Sequence, residues 1–469
     1  MTPSRSWTQY PAAFREGEVR TLAGWIGRGV SGAVVGLAGA GKSNLLGFLC
    51  GRPEVLRSYL APPANIVLVP VDLNNLPDLT AATFYRVILR AFYESRDHFE
   101  PEPAQAVASL YQAYRASRDP FLTQSALREL LQHFRAPGGR VVLVFDRFED
   151  FCQNAPPPLI NSLRGLRDSF KDSLCYLAGM RQEAAYLPDP AALGELYELL
   201  DSHVCWVGPM SAADARQMVA QEMAGSLTGM PAEEDVEALL TLSGRFASLL
   251  KAACTWWSLT EQRSQAAPRP EQSEWLTVLL ADAGVRHRLS EIWTGLSQEE
   301  KAALAALPRP AGQAGPQAAA QEQVLSRLAA KGVVQSGEDG WGFTAELLAA
   351  YAATAAGQGL GRIWLDEATG QAYQGQVPIL ELAPLERSVL HFLIQQPYLR
   401  HTKTDLIVNT WPDELRRQGV TDDSLYQVIA GLRKRIEPLP SQPCYVVNWR
   451  GRPEGGYRFF PEGRPGMTG

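Results

Sequence analysis

The stretch Gly36-Leu-Ala-Gly-Ala-Gly41-Lys42-Ser43 decides the fold of the N-terminal part of this 469-residue chain. It fits G-x-x-x-x-G-K-[ST], the P-loop pattern in which backbone N–H groups surround phosphate oxygens. The apolar residues 33–35 precede it and the helix-like run 44–49 follows it, which is the context that the motif requires. Lys42 would reach the β- and γ-phosphates of ATP, or the β-phosphate of ADP, and Ser43 would bind Mg²⁺. The predicted nucleotide-binding residues of the loop are Gly36, Gly39, Gly41, Lys42 and Ser43.

Further apolar runs indicate a parallel β-sheet. Short strands are predicted at 66–72, 141–146 and 174–179, and a helix at 83–93. Continuous apolar runs are typical of parallel strands that are covered on both faces. Together with the P-loop they predict a doubly wound α/β nucleotide-binding domain at residues 1–210.

Acidic residues follow the predicted strand 141–146. Asp146 ends that strand, where a carboxylate would help to hold Mg²⁺; the alternative is an ordinary cap at a strand end. Glu149 could polarise an attacking water. The neighbouring Asp150 could do the same, so the choice of a catalytic carboxylate stays open.

Composition and charge limit the classes of partner. The formal net charge is −6 and hydrophobic residues make up 46% of the chain, so a DNA-binding surface would have to be local. The six cysteines form no C-x-x-C pair and suit a reduced, cytoplasmic protein without a metal or disulfide framework. Neither a signal peptide nor an apolar run long enough for a membrane span is evident.

The middle of the chain has a different character. Residues 211–285 show helical spacing and few strand signals, which predicts a helical region. The pattern from Ser297 to Glu300 is a capping box, and it begins a helix that we expect to reach Leu307.

A connector and a hairpin are expected to complete this part. Residues 308–320 are rich in Pro, Gly, Ala and Gln, which is typical of a flexible connector. A helix at 323–330 precedes two short strands at 333–335 and 341–343. Helices followed by a hairpin suggest a small winged helix, which we place at residues 286–358.

Several of these features resemble the STAND branch of AAA+-related P-loop ATPases. They are Phe14-Arg15-Glu16, the P-loop, the stretch FDRFED at 145–150 and Gly179-Met-Arg181. The resemblance implies that Arg181 ends a sensor strand and contacts the γ-phosphate. It also implies a helical lid, which we place at residues 211–285, followed by the winged helix. If the chain works as a nucleotide switch, we expect its ATPase activity to be slow. Gly244-Arg245-Phe246 lies in a place similar to that of the family's Gly-x-Pro lid turn.

The C-terminal part, which we place at residues 359–469, carries a second strong pattern. Amphipathic helices are predicted after Leu382, from Lys403 and over 423–436, and a hairpin is predicted from 445 to 459. One face of the third helix is apolar and consists of Leu425, Val428, Ile429, Leu432 and Ile436.

Residues 377–460 resemble the effector domain of OmpR/PhoB-class response regulators through L-x-P-L-E, LRKRI and G-Y-R. The resemblance implies a third helix in the major groove of double-stranded DNA and a wing on the minor groove or phosphates. Segment 433–458 has six basic and two acidic residues, which fits phosphate contacts. The predicted DNA-binding residues are Tyr426, Gln427, Ala430, Arg433, Lys434, Arg450 and Arg452.

Three functions fit these patterns. The first is an ATP/ADP-switched, DNA-binding transcriptional regulator that forms a homo-oligomer with ATP and has RNA polymerase as a further candidate partner. The second is a DNA-remodelling or loading ATPase, which would need an arginine finger such as Arg164 or Arg167; both also suit a solvated helix face. The third is an ATP-dependent interaction protein whose winged helices bind proteins.

Overall fold

The computed structural model describes residues 10–464 apart from short gaps. The described residues divide into two compact units, one within Met1–Glu300 and Pro308–Leu348 and the other within Lys301–Leu307 and Ala349–Gly469. None of the described helices has the length and apolar character needed to cross a bilayer. The gaps lie at 61–64, 74–75, 136–137, 188, 225–228, 264–269, 306, 308–315, 338–339, 356–361, 367–368, 375–376, 381, 414–415, 417–418, 438–439, 441–442 and 452–453.

The first unit begins with an α/β region built on a parallel sheet. Its strand order is β2-β3-β4-β1-β5, so the P-loop strand β1 lies between β4 and β5. The predicted parallel sheet with surrounding helices is confirmed. The elements are α1 (Glu16–Arg28), β1 (Gly32–Val35), α2 (Lys42–Gly51), α3 (Pro53–Ser58), β2 (Ile66–Val71), α4 (Ala81–Ser95), α5 (Pro101–Tyr114), α6 (Pro120–Arg135), β3 (Arg140–Phe145), α7 (Phe148–Asn154), α8 (Pro157–Ser169), β4 (Leu174–Met180), α9 (Tyr197–Asp201) and β5 (Val204–Trp206).

Both faces of this sheet are buried. Along β3, Val141, Leu143 and Phe145 join the large core cluster, while the alternate residues Val142 and Val144 are buried as well. Side chains alternate between the two faces of a strand, so this burial explains the continuous apolar run. The sequence did not predict β5, because its three residues are too few for a periodic signal.

Helices and one hairpin follow β5. The capping box is present, since the Ser297 amide donates to Glu300 Oε2 at 2.8 Å and the Glu300 amide to Ser297 Oγ at 3.2 Å. The connector prediction is wrong at 316–320, because α16 begins at Pro316, a residue that the first helical turn accepts. The elements are α10 (Ala212–Ala224), α11 (Glu233–Ser243), α12 (Ala247–Arg263), α13 (Trp275–Ala281), α14 (Ala283–Thr294), α15 (Gln298–Ala305), α16 (Pro316–Ala330), β6 (Val334–Gly337), β7 (Gly340–Phe343) and α17 (Glu346–Ala355).

Among its described residues, the second unit includes the helices Pro384–Gln395, Lys403–Thr410 and Asp422–Ile436 and two antiparallel sheets. The predicted helices and hairpin are present, and α20 places Leu425, Ile429, Leu432 and Ile436 in the core. The three-stranded sheet β8-β9-β10 and the short strand β11 were not predicted, because each strand has only two or three residues. The elements are β8 (Ile363–Leu365), β9 (Ala372–Gln374), β10 (Val377–Pro378), α18 (Pro384–Gln395), β11 (Arg400–Thr402), α19 (Lys403–Thr410), α20 (Asp422–Ile436), β12 (Val446–Trp449) and β13 (Gly456–Phe459).

Candidate nucleotide site and DNA-binding surface

The P-loop follows β1 and needs its glycines. Gly39 and Gly41 have φ values of 75° and 101°, a region that residues with a Cβ rarely adopt. A Cβ on Gly36 would overlap the carbonyl oxygen of Val207. The loop therefore turns tightly into the N-terminus of α2, where unpaired N–H groups and the helix dipole favour a phosphate.

Lys42 is folded over this loop. Its Nζ donates to the carbonyl oxygens of Gly36 at 2.5 Å and Leu37 at 3.1 Å. Burial lowers the pKa of Lys42 to about 8, against the opposing effect of the Glu149 and Asp146 carboxylates. An anionic ligand would replace weak carbonyl acceptors with charged oxygens and so favour the protonated lysine.

Ser43 and Asp146 meet although they lie far apart in the sequence. The Ser43 hydroxyl donates to Asp146 Oδ2 at 2.5 Å. A Cβ on Gly179 of β4 would lie 2.9 Å from Asp146 Oδ1, so this glycine keeps space for the carboxylate. A hydroxyl and a carboxylate are oxygen donors of the kind that Mg²⁺ prefers, and the pair fits the predicted magnesium site.

Glu149 and Arg181 are also brought together. The backbone N–H of Arg181 donates to Glu149 Oε1 at 3.0 Å, and the guanidinium lies 3.7 Å from the same oxygen. Arg181 Nη2 also lies 3.2 Å from Asp150 Oδ2. Glu149 is only 4% exposed, and this burial raises the pKa of its carboxyl.

The second oxygen of Glu149 has no partner. Glu149 Oε2 is buried and makes no hydrogen bond within the part of the chain that the structure describes. A buried, unpaired carboxylate oxygen is costly, whereas Asp150 is half-exposed and paired with Arg181. Of the two acids, Glu149 is therefore the one with a buried carboxylate oxygen that none of the described groups bonds.

Arg15 is hydrogen-bonded to the P-loop. It has a positive φ of 52° and is 2% exposed. Its Nη2 donates to the Ala40 carbonyl at 2.7 Å and its Nη1 to the Gly208 carbonyl at 2.9 Å. Sequence reasoning used Phe14-Arg15-Glu16 only as a mark of resemblance and missed this contact with the P-loop.

The first helices after β5 reach the same loop. The Ser248 amide, in the first turn of α12, donates to the Gly39 carbonyl at 3.0 Å. The preceding turn has positive φ values at Gly244 and Arg245, and a Cβ on Gly244 would lie 2.5 Å from that of Ala345. The turn at Gly244-Arg245-Phe246, which resembles the family's lid turn, thus directly precedes the residues that contact the P-loop.

A second segment approaches from the helices around the capping box. Gln182, directly after Arg181, donates through Nε2 to the Gly295 carbonyl at 3.0 Å. A Cβ on Gly295 would lie 3.3 Å from Leu37 of the P-loop. Farther along, Lys331 and Glu300 form a buried ion pair of 2.6 Å. The segment between α14 and α15 therefore contacts both the P-loop and the residue after Arg181.

The two candidate arginine fingers are bonded within this chain. Arg164 donates to Asp168 at 3.0 Å and to the Glu195 carbonyl at 2.9 Å. Arg167 donates to the Gly29 carbonyl at 3.0 Å. These contacts favour a structural role for both residues over the role of an arginine finger.

The predicted DNA-binding residues divide into exposed and bonded ones. Arg452 lies outside the described residues. Arg433 is half-buried, and its guanidinium donates to the Val446 carbonyl at 2.6 and 3.0 Å and to Asn448 Oδ1 at 2.7 Å. Burial lowers the pKa of Arg433, and its contacts attach the hairpin to α20. The exposed members are Tyr426, Gln427, Ala430, Lys434 and Arg450.

Two acidic residues hold the hairpin from within the unit. The buried Glu437 carboxylate accepts hydrogen bonds of 2.7 to 3.0 Å from the amides of Cys444, Tyr445 and Val446. Glu454 accepts from the amide of Thr404 at 2.9 Å, at the N-terminus of α19. Both acids in the basic segment are thus engaged internally, and they fix the hairpin against the helices.

Comparisons with known proteins found similarities for the C-terminal region and for the larger part of the chain that contains the P-loop. A family model described as "Transcriptional regulatory protein, C terminal" matches residues 375–459. A Walker-type ATPase of Pyrococcus abyssi is 14% identical over 72% of this chain and 95% of that chain, with a TM-score of 0.41. The Aeropyrum pernix ORC1 protein, solved in complex with DNA, is 16% identical over 72% and 91%, with a TM-score of 0.37. No curated protein matches the chain.

A further solved structure matches only the end of the chain. The DNA-binding domain of the response regulator AdeR, in complex with an intercistronic region, is 23% identical over 21% of this chain and 92% of that domain, with a TM-score of 0.17. The predicted OmpR/PhoB-type winged helix at the end of the chain is confirmed by the family model, and the region before it is similar to a Walker-type ATPase. The STAND subtype stays a prediction.

Proposed function

We propose that this chain is a STAND-type, DNA-binding transcriptional regulator that is switched by ATP and ADP. The observation that carries the proposal is the hydrogen bond between Ser43 and Asp146 at the P-loop, in a chain whose residues 375–459 match a transcriptional-regulator domain. The first feature supplies a site for a nucleotide with Mg²⁺, and the second supplies a DNA reader.

The nucleotide would be held by groups that now bond to one another. Gly36, Gly39 and Gly41 shape the phosphate cradle, and Lys42 would exchange its carbonyl acceptors for phosphate oxygens. Ser43 and Asp146 would hold Mg²⁺, which neutralises phosphate charge when it is bound.

The phosphate-sensing groups connect directly to the neighbouring helices. Arg181 would contact the γ-phosphate, and Gln182 next to it is bonded to Gly295. A nucleotide shifts a conformational equilibrium only by its difference in affinity for the two states. A γ-phosphate that draws Arg181 away from Glu149 and Asp150 would supply such a difference, because it changes the position of Gln182.

Hydrolysis would act as a timer. The buried Glu149 could take the proton of an attacking water, but the Arg181 amide and guanidinium hold its Oε1 in this conformation. Turnover would therefore be slow until Arg181 is redirected, and the ATP form would persist long enough to associate on DNA. Self-association multiplies the weak contacts of a single winged helix, and RNA polymerase stays a candidate partner of that assembly.

The decisive experiment measures the affinity of the full-length protein for the DNA upstream of its own gene with ATP, with ADP and without nucleotide. We expect tighter binding in one nucleotide state and a steep salt dependence, of roughly 10³- to 10⁵-fold between 50 and 200 mM salt for 6–10 phosphate contacts. Equal affinity in all three states would contradict the switch. Absent or salt-independent binding would contradict the DNA function and favour the interaction protein.

A matched pair of variants locates the switch. Lys42→Ala should abolish the difference between nucleotide states while the nucleotide-free DNA affinity is retained. Lys171→Ala, which removes an exposed lysine, should leave both unchanged. A nucleotide effect that survives Lys42→Ala would place the switch outside this site.

A further inference from the structure

The side chains that α20 leaves exposed carry a particular hydrogen-bonding chemistry. Helix positions 423, 426, 427, 430 and 434 fall within about 100° of one another at 100° per residue, and all five side chains are exposed. They are Asp423, Tyr426, Gln427, Ala430 and Lys434.

The first half of this face contains no cation. Arginine and lysine are the common readers of guanine, which presents two acceptors in the major groove. Between Asp422 and Ile429 the helix has neither residue, and its cations begin at Arg433. Arg433 itself is bonded to the hairpin. Recognition helices contact base edges mainly through their N-terminal residues, so the part of α20 that would meet the bases lacks the usual guanine reader.

The groups that are present suit adenine and thymine. The Gln427 side chain is exposed, and a glutamine amide can pair with adenine N6 and N7 at once. Ala430, one turn after Tyr426, offers a methyl surface, which suits the C5 methyl of thymine. Asp423 can only accept hydrogen bonds, so it disfavours a guanine at the base that it faces and can accept from the amino group of adenine or of cytosine.

We propose that α20 reads A·T base pairs in the major groove, an inference that rests on the proposed DNA-binding function. Gln427 reads adenine, Ala430 and the Tyr426 ring pack against thymine methyl groups, and Asp423 excludes guanine. Lys403 lies 5.1 Å from the centre of the Tyr426 ring and pairs with Asp422, which holds the ring at the start of this face. Lys434 would contact phosphate and carry no sequence information.

The test selects a binding site from a randomised duplex library with the full-length protein. The enriched duplex is then resynthesised with uracil in place of thymine, which removes only the C5 methyl, and with 7-deazaadenine in place of adenine, which removes only the N7 acceptor. We expect about a fourfold loss for each contacted methyl. Loss of the hydrogen bond to N7 should cost roughly 2- to 13-fold in affinity.

Three variants assign the effects to residues. Gln427→Ala should weaken binding and make it insensitive to 7-deazaadenine, and Asp423→Asn should raise the affinity for guanine-substituted sites. Lys434→Gln should weaken all sequences equally and reduce the salt slope by about one.

The outcomes separate this inference from the proposed function. Salt-dependent binding to an enriched site rich in G·C pairs would overturn the inference, and so would equal affinity for the methyl-free and N7-free duplexes. In both cases the DNA-binding function stands. If no duplex binds at any salt concentration, the proposed function itself fails, and the inference with it.

Discussion

The candidate nucleotide site and helix α20, the proposed DNA reader, use their polar side chains in opposite ways. At the P-loop the groups that would bind the ligand are bonded within the protein: Lys42 to loop carbonyls, Ser43 to Asp146 and the Arg181 guanidinium to Asp150. On α20 the bonded groups are structural, and the groups that would bind the ligand are exposed. A ligand at the first site must therefore exchange internal bonds for its own and change the conformation. DNA could contact the exposed side chains of α20 without such a change.

The largest expected effect tests the structural half of the DNA reader. Glu437→Ala would leave the buried amides of Cys444, Tyr445 and Val446 without their acceptor. At about 1–3 kcal/mol for each unsatisfied group, we expect a loss of at least 3 kcal/mol in local stability. Amide hydrogen exchange of these three residues in the full-length protein measures it.

The matched control is an exposed acid in the same unit. Asp423→Asn should change the exchange of those amides by less than about 0.5 kcal/mol. Similar protection in the Glu437→Ala and wild-type proteins would show that the Glu437 carboxylate does not hold the hairpin, and the contrast between bonded and exposed groups would fail at this point.

The second effect tests the nucleotide site. Lys42→Ala should reduce ATP affinity by about 100-fold or more, because it removes hydrogen bonds to charged oxygens worth about 1.5–3 kcal/mol each. Calorimetric titration of ATP with Mg²⁺ into the wild-type and variant proteins measures the loss. Lys171→Ala serves as the control, and a loss below tenfold would argue that Lys42 does not bind the phosphates.

The third effect tests the contact between α12 and the P-loop. A Cβ on Gly39 would overlap Ser248 Oγ, and the φ of 75° adds about 1–2 kcal/mol of strain. Gly39→Ala should therefore weaken ATP binding by roughly 10-fold or more. Adding Ser248→Gly to Gly39→Ala should restore only the part of the ATP affinity that the overlap removes. Equal affinities for the single and double variants would mean that strain alone acts.

Sequence reasoning recovered the parts of the molecule that local pattern encodes. The P-loop, the strand ending at Asp146, the capping box at Ser297 and the apolar face of α20 each have a period or motif. Arg433 illustrates the limit: its charge and its position on the helix suggested a DNA contact, and only the tertiary structure shows that Val446 accepts its hydrogen bonds. Contacts such as Arg15 to Ala40 and Gln182 to Gly295 join residues far apart in the sequence, and no periodicity marks them.

The smallest effect is a pH dependence that follows from the internal bonds of Lys42. Burial lowers the pKa of this lysine to about 8 in the free protein, while bound phosphate favours the charged form and raises it. Above pH 8 the free protein has lost the proton that the complex needs, so binding must take up a proton. ATP affinity should fall by up to about tenfold per pH unit above 8 and stay nearly constant just below it.

Lys42→Arg should remove this slope, because its guanidinium stays protonated. A wild-type affinity that is flat across the same range would mean that Lys42 keeps its proton without a ligand, and that loop carbonyls alone can hold a charged lysine there.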